Sequence, residues 1–218
     1  MPLYVLDKDI IFPPAEHADE DGLLAIGGDL SMERLLEAYR HGIFPWYENN
    51  YILWWCPDPR FVLFPGELKV SNSMKQVIKK EEFEFRINSN FSGVISQCKS
   101  ISRRGQESTW ITEDMRNAYV NLHLQGYAHS AETWKNGELV GGLYGIRMGN
   151  LFFGESMFSR VSNASKFAFI KYVQQLQSEG VPLIDCQVYT AHLESLGARM
   201  IPRKIFLEYV DGLRRADS

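Results

Sequence analysis

The sequence predicts an α+β fold built from an antiparallel strand meander and separate helices. Two strand-like segments, residues 129–134 and 139–144, flank Asn136-Gly137, the dipeptide most typical of a tight hairpin turn. An amphipathic pattern over residues 163–179, ended by Gly180, predicts one long helix after the meander. Because helices and strands follow one another in blocks rather than in strict alternation, α+β is the class that this order favours.

Length, charge and cysteine content limit the classes of protein to which the chain can belong. Its 218 residues suffice for one large domain, or for a medium domain with a small one beside it. A net charge of −4 argues against nonspecific binding along nucleic acid, but it does not exclude a local basic patch on the surface. The three cysteines form no cluster with the five histidines, so we expect neither disulfides nor a metal site. We expect a cytoplasmic protein, because no segment resembles a signal peptide or a membrane span.

Residues 1–60 are rich in proline, glycine and aromatic residues and contain one clear helix. Ser31 caps this helix, Tyr39 belongs to its apolar face, and Gly42 ends it. We predict an aromatic loop over residues 42–47 and a strand over residues 52–56. The prolyl turn at residues 57–59 is the predicted boundary between a small domain, 1–60, and a larger one, 61–218.

The larger domain begins with mixed helix and strand patterns. Strands are predicted at 61–64 and 83–87, and helices at 71–80, 91–100 and from Thr112 to Gly126. Gly141-Gly142 inside the meander predicts a bulge, or a place where a ligand closely approaches the backbone. After residues 151–153, strands at 183–187 and 205–210 complete the prediction.

Two segments carry polar residues that could take part in catalysis. Residues 152–166 pass from an apolar strand through a polar turn into a helix start, and residues 183–187 form a short strand. Strand side chains alternate, so Asp185 and Gln187 are predicted to share one face. A carboxylate beside an amide, near a helix N-terminus, is able to move protons and hold an anion, which is typical of a transferase site. The alternative is a polar pair that only satisfies nearby backbone groups.

Several longer strings, in order over nearly the whole chain, resemble the leucyl/phenylalanyl-tRNA–protein transferases of bacteria. They are DGLLAIGGDLS at 21–31, GIFPW at 42–46, LWWCPDPR at 53–60, TWIT at 109–112, GGLYG at 141–145, the run at 152–166, LIDCQ at 183–187, SLGA at 195–198 and IPR at 201–203. Each string alone is a weak signal, and their combination is specific.

The resemblance implies an enzyme that moves Leu or Phe, and less well Met, from Leu-tRNA or Phe-tRNA to an acceptor protein with N-terminal Arg or Lys. The new N-terminus marks the acceptor for degradation. The resemblance also implies a small family-specific N-terminal domain and a C-terminal domain similar to the GNAT (acetyltransferase) fold. We expect no cofactor, and we expect a monomer because the sequence shows no heptad pattern and no exposed apolar stripe. Residues 160–165 read RVSNAS, where acyl-CoA relatives have a glycine-rich phosphate-binding turn, and this departure argues against coenzyme A.

The resemblance also assigns the polar pair. In the family, the residue matching Asp185 is proposed to orient the one matching Gln187, which then helps to remove the amine proton. Because an amide is a poor base, we expect Gln187 to position the amine by a hydrogen bond and Asp185 to supply charge and orientation. Asp185 binding the incoming cationic side chain is the alternative.

Further residues are candidates for binding the aminoacyl end of the tRNA. An apolar pocket for Leu or Phe is expected from Leu143, Phe152, Phe169, Tyr172 and Ile184, for which ordinary core packing is the alternative. We expect Trp46 and Trp110 to contact the terminal adenosine and the aminoacyl group, where stacking contributes roughly 1–3 kcal/mol per base. Glu155 is expected to accept a hydrogen bond from an amine or a ribose hydroxyl. Lys166, with the amides of residues 163–166, is expected to meet a phosphate, unless Asn163 is a plain helix cap.

Two other functions stay open at this stage. One is a small-molecule acyltransferase that uses acyl-CoA. The other is a module that binds the end of a tRNA without catalysis, in which the tryptophans bind and the polar pair is structural.

Overall fold

The computed structural model describes residues 3–48, 51–100 and 111–216. The first sheet contains four strands in the order β1-β2-β4-β3, of which only β1 and β2 are parallel. Its strands are β1 (Tyr4–Leu6), β2 (Leu23–Gly27), β3 (Phe44–Glu48) and β4 (Tyr51–Trp55). Helix α1 (Met32–Arg40) begins as predicted, because the Ser31 side chain accepts a hydrogen bond from the backbone N–H of Arg34.

The predicted aromatic loop at residues 42–47 is wrong, because β3 occupies most of it. Phe44 pairs with Trp55, and Pro45 pairs with Trp54, in an antiparallel ladder with β4. The proline misled the prediction because it lacks a backbone N–H, but β3 lies at the edge of its sheet, where that loss is tolerated. Strands β1 and β2 are short and were not predicted.

The second sheet contains seven strands in the order β11-β5-β10-β9-β8-β7-β6. They are β5 (Arg60–Leu63), β6 (Glu84–Ile87), β7 (Ala128–Lys135), β8 (Glu138–Met148), β9 (Leu151–Ser159), β10 (Leu183–Gln187) and β11 (Arg199–Ile201). Neighbouring strands are antiparallel except β9 and β10, which are parallel. The α+β class is thereby confirmed.

Helices cover both faces of the second sheet. They are α2 (Asn72–Lys79), α3 (Phe91–Ser100), α4 (Glu113–Leu124), α5 (Ala164–Ser178), α6 (Ala191–Glu194) and α7 (Arg203–Ala216). Buried residues of α2 and α5 pack on one face. Those of α3 and α4 belong to the other face, in a core shared with α1, α7 and the first sheet. Because this core joins both sheets, the division at residue 60 stays a prediction.

Local signals for turns and caps gave correct predictions. Asn136 and Gly137 both have positive φ, 52° and 79°, as a two-residue hairpin turn requires. At the start of two predicted helices, Ser71 and Thr112 accept capping hydrogen bonds from the backbone N–H groups of Met74 and Met115. The strands at 61–64, 83–87 and 183–187 and the helices at 71–80 and 91–100 are confirmed to within a residue or two at their ends.

The last predicted strand, at residues 205–210, is wrong, because these residues belong to α7. Phe206, Leu207 and Val210 are buried and lie at helical spacing, whereas Ile205 is 40% exposed. The helix starts directly after Pro202, whose carbonyl accepts a hydrogen bond from the Phe206 N–H. Over a window of six residues, the order of apolar and polar side chains resembled the alternation of a strand. The helical spacing explains which of these side chains are buried.

A bulge is present next to the predicted position: the residue without a partner on β7 is Val140, directly before Gly141-Gly142. The register of the β7–β8 pair shifts between Thr133, opposite Gly141, and Trp134, opposite Leu139. The element that approaches Gly141 is the start of α5, since a Cβ added there would lie 2.5 Å from the Cβ of Ala164. Within the described ranges, no helix is long and apolar enough to cross a membrane.

Candidate active site

A cavity opens where the two parallel strands of the second sheet separate. The last residues paired between β9 and β10 are Phe153 and Asp185. Beyond them a cavity of about 480 Å³ is lined by Glu155 on one strand and Gln187 on the other. Glu155 lies within β9, which runs to Ser159, so the polar turn predicted after the apolar strand is confined to the residues that follow.

One wall of the cavity is apolar. Of the predicted pocket residues, Leu143, Phe152, Phe169 and Ile184 line it. Tyr172 does not: it packs behind Phe152 with the two rings perpendicular and their centroids 5.0 Å apart. The prediction for Tyr172 is therefore corrected from pocket lining to a supporting position in the core.

The remaining predicted binding residues differ in their positions. Trp46 is half-buried and lines the cavity. Lys166 is not among the described residues that line the cavity. It lies close to one that does, His192: burial lowers the pKa of His192, and the charge of Lys166 lowers it further. Trp110 lies outside the described residues. Asn163 has a left-handed backbone and no capping hydrogen bond from its side chain, so the simple cap is excluded.

Asp185 forms a buried ion pair with Arg60. The guanidinium donates two hydrogen bonds, from Nε to Oδ1 at 2.8 Å and from Nη2 to Oδ2 at 2.6 Å. The rings of Phe44 and Phe206 lie on the guanidinium at 4.7 and 4.5 Å. Both members of the pair are at most 1% exposed, so the Asp185 charge is neutralised inside the protein.

Gln187 is held by its neighbours in an unusual backbone conformation. Its backbone N–H donates to Asp185 Oδ1 at 2.9 Å, and its φ is 64°, in the left-handed region. The pairing of β10 with β5 shifts register between these two residues. The simple alternation predicted for Asp185 and Gln187 therefore ends at Asp185, although both residues line the cavity.

Glu155 is the centre of a hydrogen-bond network drawn from three other elements. Its Oε1 accepts hydrogen bonds from the Tyr39 hydroxyl at 2.6 Å and the Gln187 amide at 2.9 Å. Its Oε2 lies 3.0 Å from the Tyr119 hydroxyl. Burial raises the pKa of the Glu155 carboxyl to about 7, and the hydrogen bonds from the two tyrosines oppose this shift.

Sequence models of a known family match most of the chain. The model described as "Leucyl/phenylalanyl-tRNA protein transferase" matches residues 62–211, and that of its N-terminal domain matches residues 28–58. The chain belongs to this family. Leucyl/phenylalanyl-tRNA–protein transferases are aminoacyltransferases, and the chain is therefore an enzyme of this class.

Individual relatives agree over almost the full length. A leucyl/phenylalanyl-tRNA–protein transferase of Syntrophus aciditrophicus is 57% identical over 217 residues, which are 99% of this chain and 91% of the relative. One from Flavobacterium johnsoniae is 56% identical over 206 residues, 94% of this chain and 97% of the relative.

Similar solved structures are more distant. A GCN5-related N-acetyltransferase from Kribbella flavida has a TM-score of 0.40 and 10% identity, over 77% of this chain and 59% of that one. L-PGS from Bacillus licheniformis has a TM-score of 0.43 and 12% identity, over 77% of this chain and about half, 54%, of that one.

Three residues that contact the polar residues of the cavity were not predicted as functional: Arg60, Tyr39 and Tyr119. Arg60 had a signal, since an arginine that opens an apolar strand needs a partner for its charge. Tyr39 was predicted only as part of an apolar helix face, and its hydroxyl meets Glu155 across 116 positions of sequence. No local pattern indicates that contact.

Proposed function

We propose that the chain transfers Leu or Phe, and less well Met, from aminoacyl-tRNA to the N-terminal Arg or Lys of acceptor proteins. The product carries a new peptide bond and is marked for degradation. We further propose that the enzyme acts as a monomer in the cytoplasm. The observation that carries the proposal is a cavity with an apolar wall on one side and the Glu155–Gln187 pair on the other.

The apolar wall suits the side chain of the donor. The wall offers an apolar contact surface to a Leu, Phe or Met side chain, and none of these side chains needs a hydrogen-bond partner there. Its residues are Leu143, Phe152, Phe169 and Ile184. Burying such a side chain contributes roughly 1.5–3 kcal/mol. Trp46 at the same cavity supports a stacking contact with the terminal adenosine.

The reaction is aminolysis of an ester. The acceptor α-amine attacks the ester carbonyl, the C–N bond forms, and the bond from that carbonyl to the ribose oxygen breaks. One amine proton is lost and the ribose oxygen gains one. Holding amine and ester together provides roughly 7–11 kcal/mol at best, which is a large share of what a reactive ester needs.

The residue roles follow from the contacts. The Gln187 amide nitrogen donates to Glu155, which leaves the amide oxygen to accept a hydrogen bond from the acceptor amine. Asp185 anchors the Gln187 backbone, and both of its oxygens are engaged by Arg60. We therefore propose that Asp185 orients Gln187 rather than binding the cationic side chain of the acceptor.

The test is transfer of radiolabelled Leu from Leu-tRNA to a reporter protein with N-terminal Arg. A reporter with N-terminal Gly is the control. Label on the Arg reporter alone supports the proposal. Tight binding of tRNA without any transfer would instead indicate a tRNA-end binding module, and transfer that needs acyl-CoA would indicate the acetyltransferase-like alternative.

A variant separates catalysis from binding. Asp185→Ala is expected to lower turnover far more than it weakens aminoacyl-tRNA binding, because it releases Gln187 without touching the tRNA. Equal losses in both quantities would contradict the orienting role. Lys166→Glu tests the proposed phosphate contact: it is expected to raise the apparent KM for aminoacyl-tRNA, and an unchanged KM would exclude that contact.

A further inference from the structure

The two oxygens of the Glu155 carboxyl and the hydroxyls of Tyr39 and Tyr119 form a closed ring through three contacts. The Tyr39 hydroxyl lies 2.6 Å from Glu155 Oε1, the Tyr119 hydroxyl lies 3.0 Å from Glu155 Oε2, and the two hydroxyls lie 2.5 Å apart. Both tyrosines are fully buried. Each of these three contacts has hydrogen-bond length, and each needs its own hydrogen.

The hydrogen count identifies the protonation state that fits the ring. The two phenols supply two hydrogens, because a hydroxyl has only one to donate. The third hydrogen has to come from Glu155. A neutral Glu155 donates from Oε2 to Tyr119, Tyr119 donates to Tyr39, and Tyr39 donates to Oε1. If Glu155 is ionised, only two hydrogens are available for the three contacts. In one contact two oxygen atoms then face each other without a hydrogen between them.

We propose that Glu155, Tyr39 and Tyr119 form a proton store for the transfer reaction. Glu155 takes the proton that the acceptor α-ammonium must lose, and the two tyrosines are positioning residues that hold this proton in the closed ring. This inference rests on the proposed function, because it assigns the acceptor amine to the same cavity.

The proton balance of the step closes. An N-terminal ammonium, with an ordinary pKa of about 7.7–8.0, carries three hydrogens, and at neutral pH most acceptors arrive in this form. Glu155 accepts one and the ring closes. The resulting amine attacks the ester, the amide nitrogen keeps one hydrogen, and the departing ribose oxygen takes the other. Glu155 finally releases its proton to solvent and is ready for the next acceptor.

The surroundings of Glu155 favour this exchange near neutral pH. The titratable and charged groups that face it come from four elements, namely Tyr39, Tyr119, Asp185 and Arg60. The Asp185 charge raises the pKa of Glu155 less than burial does, and its ion pair with Arg60 weakens this effect. Burial raises the pKa of Glu155 to about 7, close to that of the amine, which makes transfer between the two nearly balanced.

Single and double removal of the hydroxyls give opposite results. In Tyr39→Phe the contact between the two hydroxyls is gone, so an ionised Glu155 accepts from Tyr119 without conflict, whereas a neutral Glu155 loses two of the three hydrogen bonds of the ring. The pKa of Glu155 is therefore expected to fall by about half a unit or more. In Tyr39→Phe/Tyr119→Phe the carboxylate keeps only the hydrogen bond from Gln187, so burial is expected to raise this pKa above the wild-type value.

The first measurement is independent of activity. The protein is labelled with ¹³C at glutamate carboxyls and titrated by NMR, and the Glu155 signal is assigned by its loss in Glu155→Gln. We expect titration near pH 7 in the wild type, a lower value in each single variant and a higher one in the double variant. Tyr127→Phe, at a partly buried tyrosine outside the described cavity lining, is the matched control and is expected to leave the value unchanged.

The second measurement is the pH dependence of kcat/KM for transfer to the Arg reporter. Its acid limb is expected to move in the same direction as the NMR value in each variant. A wild-type Glu155 that titrates near pH 4.5, or a rise in both single variants, would overturn the proton store even if transfer occurs. If the tyrosine variants do not fold, the wild-type titration decides alone. Absence of transfer in the wild type at every pH would instead overturn the proposed function.

Discussion

Arg60 and Asp185 form a two-bond ion pair that is closed off from solvent and connects distant parts of the chain. The arginine opens β5, directly after the first sheet, and the aspartate lies next to the cavity. The rings that contact the guanidinium come from β3 and α7, so segments from both ends of the chain meet at this pair. The aspartate lines the cavity and also accepts a hydrogen bond from the backbone N–H of Gln187.

Arg60→Met is expected to destabilise the protein strongly. It leaves the buried Asp185 charge without a partner, which costs about 3–5 kcal/mol of the free energy of unfolding. Urea denaturation measures this loss. The control is Arg199→Met, which breaks a comparable pair with Glu67 at a site where both side chains are nearly half exposed, and which should cost less than about 1 kcal/mol. Equal losses of unfolding free energy in the two variants would contradict the idea that burial makes the Arg60–Asp185 pair costly to break.

Arg60→Met/Asp185→Leu separates stability from activity. Replacing both members of a buried pair with apolar side chains is often neutral, so most of the stability lost in Arg60→Met should return. Transfer should not return, because Gln187 loses the acceptor of its backbone N–H. The two measurements are urea denaturation and the radiolabel assay, and recovery of transfer would show that Asp185 is not needed to orient Gln187.

Local patterns in the sequence predict most elements and much of the cavity. The caps at Ser31, Ser71 and Thr112 and the turn at Asn136-Gly137 depend on contacts within a few residues, which the sequence displays directly. The cavity residues on β8, β9 and β10 were found because the family motifs surround them.

The unpredicted parts depend on long-range contacts. The Tyr39 hydroxyl and the Arg60 guanidinium find partners more than a hundred positions away. Helix α7 was mistaken for a strand because its buried face is defined by contacts with α1 and β9, and a short apolar window does not reveal which element covers it. Register shifts such as that at Gln187 likewise depend on the neighbouring strand.

The free energy of unfolding should depend on pH through Glu155. The folded carboxyl has a pKa of about 7 against an ordinary value of 4.5, so the folded state binds this proton more tightly. The resulting stabilisation is fully present below pH 4.5 and is lost as the pH rises through 7. Relative to Glu155→Gln, the wild type should lose about 2–3 kcal/mol between these values. Parallel stability curves from urea denaturation at several pH values would contradict this.

Leu143→Phe should change the donor preference of the enzyme. Leu143 is 2% exposed and lies in the apolar wall, so a larger ring at this position fills part of the space that we propose for the donor side chain. We expect kcat/KM for Phe-tRNA to fall about tenfold more than that for Leu-tRNA, because Phe needs more room. Leu124→Phe, at a surface position 75% exposed, should change neither value. A parallel loss with both donors would indicate that Leu143 does not contact the side chain.

Gly141→Ala should destabilise the junction between β8 and α5. An added Cβ would lie 2.5 Å from the Cβ and 2.8 Å from the carbonyl carbon of Ala164, so either the bulge in β8 or the start of α5 has to shift. Overpacking of this kind costs about 1–3 kcal/mol of unfolding free energy. At Gly66 the nearest atom to an added Cβ is the flexible end of Gln177 at 3.8 Å, so Gly66→Ala is the matched control and should be close to neutral. Since α5 also carries Phe169 of the apolar wall, a shift of its first turn should raise the KM for aminoacyl-tRNA in Gly141→Ala alone. Equal unfolding free energies for the two variants would mean that the contact between β8 and α5 is looser than these distances indicate.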